Sequence, residues 1–284
     1  MKITDLNLSK YKRFFAFGCS FTDYHWPTWA DIIGKQIPYY ENWGRMSAGN
    51  QFIFNSIIEC DARYHFTKDD LVIVMWTSIE REDRYVGRDW LLASHIERDK
   101  IYGNEWVKRF GNEIRGFLIR DLAAIRAAQQ LLKSRKCDWA NLSMGPISKM
   151  DRSTITIENT NQLNELHHRY VKLHTDLCQG KEITEPHAHS PDVLKLYKEE
   201  FINIEDSVLN VIFKGEWAVS PRPNKKNGHP SPKEHLQYLQ HIYPNFMPNN
   251  DSQIFVDHWE DIVWNLKDTD VPSETFKINR ISRL

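Results

Sequence analysis

No stretch of this chain stays apolar for the ~20 residues that a membrane-spanning helix needs; the best run, Leu71 to Trp76, is far shorter. Neither sign of charge is in surplus. The 37 Lys and Arg stand against 38 Asp and Glu, leaving a formal charge of -1. That balance removes the electrostatic ground for a non-specific grip on nucleic acid or an anionic membrane, and no basic patch is interleaved with aromatics. Cysteine is scarce: Cys19, Cys60, Cys137 and Cys178 are widely spaced and form no CxxC pair. A disulfide scaffold is excluded as the basis of the fold, and reduced thiols are expected. Internal repeats and low-complexity tracts are missing too. Met1-Lys2-Ile3-Thr4-Asp5 lacks the charged-then-apolar opening of an export signal, so a cytoplasmic location is expected.

What is present is the composition of a globular chain able to bury a substantial core, and one domain over residues 1–284 is expected. Phe14-Phe15-Ala16-Phe17, ending at Gly18, reads as a buried strand. Apolar residues at helical spacing run from Trp29 to Ile33, with Gly34 as the stop. Leu71 to Trp76 is a second buried strand after the polar turn Lys68-Asp69-Asp70, and Cys137 to Met144 a third. Between those two, Ile114, Phe117, Leu118, Leu122, Ile125, Leu131 and Leu132 share a face of a long helix. Strands apolar on both faces, alternating with helices, predict an α/β fold with a central parallel sheet and right-handed crossovers. Residues 151–210 read as an inserted helical segment. One helix runs through Leu163, Leu166, Tyr170, Leu173 and Leu177, and a second from Pro191 through Leu194, Tyr197, Phe201 and Ile204. A last helix carries Phe255, Trp259, Ile262 and Trp264.

Chemistry concentrates at two places. In Asn227-Gly228-His229-Pro230-Ser231-Pro232-Lys233-Glu234, Ser231 is an N-cap, Pro232 the first helical residue and Glu234 the third, which makes a capping box. His229 therefore sits on a loop just before a helix N-terminus, where the dipole disfavours an added positive charge and suits a proton acceptor. Ser20 follows the first buried strand. A serine hydroxyl needs such a base to become a nucleophile, and both residues belong at the carboxyl edge of one parallel sheet, where ligand sites of open α/β folds form.

Phe17-Gly18-Cys19-Ser20-Phe21-Thr22 resembles the first block of the SGNH (GDSL-like) hydrolase superfamily, in its FGCSFT-type branch known from bacteria and their phages. Asn42-Trp43-Gly44-Arg45-Met46-Ser47-Ala48-Gly49-Asn50 is similar to the second block, Leu71 to Ser78 to the third, and Gly228-His229-Pro230-Ser231 to the last. The blocks keep the family's order over most of the chain. The resemblance implies a flavodoxin-like three-layer α/β/α sandwich and hydrolysis of a small or carbohydrate-linked ester, with Ser20 as nucleophile and His229 as base. Neither a metal nor an organic cofactor is implied. The oxyanion donors implied are the Ser20 amide, a second-block amide at Ser47 or Gly49, and Ser78 or Thr77 in place of the family's third-block asparagine. The acid that the family places before its histidine is replaced by Lys226 and Asn227, which leaves Asn227 as the candidate to orient the ring.

Asp23, His25, Trp76 and Arg81 are candidates to touch substrate, Arg81 through an anionic group. Cys19, beside Ser20, reads as packing. His187-Ala188-His189, with His167, His168 and His174, lacks the spacing of a metal site. Two further readings compete with the esterase: a non-catalytic SGNH-fold protein in glycan binding or virion structure, and an anion-binding loop at Gly18 to Thr22. No partner other than a small ester or acylated glycan is expected, and the sequence does not set the oligomeric state.

Overall fold

The computed structural model describes residues 3, 5–78, 81–93, 101–110, 114–145, 204–213 and 228–266. Three strands form the middle of its main sheet: β1 (Arg13–Phe17), β3 (Asp70–Trp76) and β6 (Asp138–Ser143). β3 is buried along its whole length, because both faces of a parallel strand are covered by helices. The edges are β2 (Tyr39–Asn42) and β7 (Ile204–Ser207). The order is β2-β1-β3-β6-β7, and every pairing is parallel. With the strands of this sheet counted along the chain, that is 2-1-3-4-5, the doubly wound order of flavodoxin-like folds.

Helices α1 (Trp29–Gly34), α2 (Asn50–Tyr64) and α4 (Ile114–Arg135) arise where apolar positions recur at helical spacing. The short α3 (Asn104–Phe110) buries none of its residues. α5 (Val208–Val211), α6 (Pro232–Ile242) and α7 (Asn250–Trp264) complete the described elements. α2 packs with α4, and α1 with α6 and α7, so the sheet lies between two helical layers as a three-layer α/β/α sandwich. No helix among the described residues is long and apolar enough to cross a membrane.

The ends of the sheet differ chemically. At its amino end Arg13 grips Asp70 through two hydrogen bonds of 2.7 and 2.6 Å, locking β1 to β3 in register. At its carboxyl end the chain turns into loops that carry Gly18 to Thr28 and Trp43 to Gly49, with Thr77 and Ser78 just past the end of β3. An antiparallel hairpin follows, β4 (Glu82–Val86) and β5 (Asp89–Ala93), with Gly87 in the left-handed region at its turn. Asp83 of this hairpin caps α2. The N-cap residue Gly49 has no side chain to offer, and Asp83 accepts from the Gly49 and Phe52 amides, both at 2.9 Å.

Ile204 corrects the reading of an inserted helix up to residue 210. It begins a strand that pairs with Asn141 of β6, and the helical turn starts only at Val208. Four residues, buried only at the two ends, are too short to show a period. Residues 151–203 lie outside the described residues, as do Asn227, Lys225, Lys226, Cys178 and the histidines at 167, 168, 174, 187 and 189. Cys19, Cys60 and Cys137 are free thiols in the core.

Candidate active site

Ser20 sits where β1 runs out. The Thr22 and Asp23 amides both donate to the Cys19 carbonyl, at 2.9 and 3.0 Å, closing a tight turn that places Ser20 at the carboxyl edge of the sheet. Gly18 is needed there, because a β-carbon at that position would run into the Thr22 side chain. The turn is held from behind: the Thr22 carbonyl accepts from Asn42 Nδ2 and Thr28 Oγ1, both at 2.7 Å. Since β1 lies between β2 and β3, Ser20 stands at the point where the strand order reverses, the usual ligand crevice of an open α/β sheet.

His229 meets it from the far end of the chain. Its Nε2 lies 2.9 Å from Ser20 Oγ, and with Nε2 unprotonated the hydroxyl donates to it. The capping box forms as the sequence indicates: Ser231 Oγ accepts from the Glu234 amide, and the Glu234 carboxylate accepts from the Ser231 amide. Loop and turn are pinned together by Trp26, whose buried indole N–H donates to the Pro230 carbonyl at 2.8 Å. The imidazole itself is held by rings. Tyr24 stacks on it with centroids 3.8 Å apart and planes 16° from parallel, and Phe21 meets it edge-on at 5.3 Å. Tyr24 also touches Trp26 at 4.5 Å and His25 at 4.9 Å. A base fixed by ring packing keeps one orientation toward the hydroxyl, the geometric condition for general-base action.

The second-block candidates separate. The Gly49 amide is engaged by Asp83, so it is not open to an oxyanion. Ser47 adopts φ 67°, a left-handed conformation uncommon for a serine. Among the described residues the Ser20 and Ser47 amides have no internal acceptor. Ser78 is half-buried beyond the end of β3, while the adjacent Thr77 is bound on both sides by Asn50: its amide donates to Asn50 Oδ1 at 2.9 Å and its carbonyl accepts from Nδ2 at 3.0 Å.

The substrate-binding candidates scatter. Trp76 does not line the site. It is wholly buried and donates to Asn141 Oδ1 at 2.8 Å, which makes it a core residue. Its place as the last residue of a strand covered on both faces turns it inward. Asp23 and His25 are half-buried in the loop after Ser20, Asp23 against Gly44. Arg81 is buried, donating to the Ala48 carbonyl at 2.8 Å. Cys19 is fully buried, with its sulfur 3.5 Å from Met144 Sδ. Phe21, Tyr24 and Trp26 were not legible as site residues, although the density of aromatics directly after Ser20 is the signal that marks them.

Comparison with protein-family models and with curated proteins finds no match.

Proposed function

We propose that this protein is a serine ester hydrolase of the SGNH type. The observation that carries the reading is the 2.9 Å contact between Ser20 Oγ and His229 Nε2 at the carboxyl edge of a doubly wound sheet. His229 takes the Ser20 proton as the oxygen attacks the acyl carbon. The Ser20 and Ser47 amides receive the charge that develops on the carbonyl oxygen. The imidazolium then gives its proton to the departing alcohol, and water repeats the sequence on the acyl-enzyme. A small or carbohydrate-linked ester is the substrate class proposed.

The test is hydrolysis of p-nitrophenyl acetate and acetylated sugars by the wild type, Ser20→Ala and His229→Ala. Both variants should keep their fold by circular dichroism and lose at least about three orders of magnitude in turnover, the scale on which removing a member of such a catalytic set acts. Equal hydrolysis by all three proteins, or none by the wild type, would sink the assignment for these esters.

A further inference from the structure

Arg81 is the most buried lysine or arginine among the described residues, with 8% of its surface exposed. Three half-buried arginines hold carboxylates: Arg13 holds Asp70, Arg45 holds Asp89, and Arg120 holds Glu82 and Asp121. Arg81 forms no ion pair among the described residues. Asp83, two positions away, is engaged with the α2 amides. A guanidinium keeps its charge in proteins and carries five donors. Here Nη1 donates to the Ala48 carbonyl at 2.8 Å, and Nη2 lies 3.4 Å from Met144 Sδ, a weak acceptor. The buried Nε–H has no acceptor among the described residues. A desolvated cation without a counter-charge is costly to maintain, and among the described residues this one has none.

Its link through Met144 to the turn that carries Ser20 gives that charge a use. Met144 Sδ is also 3.5 Å from both Cys19 Sγ and Thr77 Oγ1, so one sulfur atom joins the guanidinium to the turn that carries Ser20 and to the carboxyl end of β3. Through Ala48, Arg81 is tied to the residue next to Ser47. We infer that Arg81 receives a small oxyanion, a carboxylate or phosphate carried by the ester, and thereby selects anionic esters over neutral ones. The planar fork of a guanidinium matches such a group in two hydrogen bonds. This inference rests on the hydrolase reading and narrows its substrate class.

The experiment compares kcat/KM for p-nitrophenyl acetate and the p-nitrophenyl monoester of succinate in the wild type, Arg81→Met and Arg81→Lys. The wild type should prefer the succinate ester by about 10- to 100-fold, the worth of a charge-assisted hydrogen bond. That ratio should fall towards one in Arg81→Met and be partly restored in Arg81→Lys, which keeps the charge without the fork. A loss of folded enzyme lowers both rates together and leaves the ratio unmoved. In parallel, succinate and inorganic phosphate are titrated into Ser20→Ala, following tryptophan fluorescence and Tm. A saturable response that disappears in Ser20→Ala/Arg81→Met supports the site independently of turnover. Hydrolysis of both esters without preference, and no saturable anion response, removes the anion site and leaves the hydrolase standing. A preference that survives in Arg81→Met overturns the role of Arg81. Anion binding through Arg81 without hydrolysis of either ester keeps the site and removes the hydrolase.

Discussion

At the scale of single residues, the site depends on side chains that do no chemistry. Tyr24 contributes a ring face to His229 and so limits the imidazole to the orientation that meets Ser20. A displacement of about 1 Å in a reacting group can cost 100-fold in rate. Tyr24→Ala is therefore expected to lower kcat about 100-fold with Tm and KM little changed, whereas Tyr24→Phe, which keeps the ring, retains activity. Steady-state kinetics on the three proteins checks this, and full activity in Tyr24→Ala would show that the ring is held without the stack. None of this was legible locally. Tyr24 and His229 are separated by most of the chain, and nothing in a heptapeptide around Ser20 says which aromatic ring will face the base.

At the scale of elements, helix starts were the most readable features, because a cap is a local hydrogen-bond problem solved by residues three apart. Ser231 and Glu234 show it at α6, and Thr28 and Asp31 repeat it at α1. The α1 cap carries a titration. Burial pushes the Asp31 carboxyl up to about 7, against the Thr28 amide and Tyr40 hydroxyl that donate to it. Unfolded, the same group titrates near 3.8. Between those values the folded state binds a proton that the unfolded state does not. The stability due to this group is thus complete below the lower value and is lost as pH rises through the upper one. Compared with Asp31→Asn, the wild type should lose on the order of 3 kcal/mol between pH 4 and pH 7 by urea unfolding. A difference that stays flat with pH would mean that Asp31 is ionised throughout. The cap of α2 is the opposite case, since its carboxylate comes from Asp83 on a hairpin thirty-odd residues on, and no local spacing announces it.

For the whole molecule, stability and site share one framework. β3 pairs with β1 and β6 and ends at the residues beside the Ser20 turn. Ile73, fully buried at the middle of β3, packs into the common core. Ile73→Ala should cost about 2–5 kcal/mol, the transfer loss plus the cavity left behind, read as a fall in the urea midpoint at constant slope. A cost below 1 kcal/mol would mean that the helical layers close over the gap.

The sequence alone determined β1, β3, β6, α1, α4, α6 and α7, because buried strands and one-sided helices write their burial into local hydrophobic pattern. It also singled out Ser20 and His229, through the residue types set beside a strand end and a helix start. The tertiary structure decided the rest. β7 is four residues with polar members, and it is a strand only because β6 offers it an edge. Trp76 looked available as the end of a strand, yet the layers bury it. Gly49 and Ser47 were equivalent candidates in the sequence until Asp83 engaged the Gly49 amide. Arg81 reads in the sequence as a candidate contact for an anionic group, and only the closure of Ala48, Met144 and the hairpin around it makes it a buried cation without an ion-pair partner among the described residues. The physical reason is common to all four. Pattern records how much of a residue is buried, whereas function depends on which distant groups it is buried against.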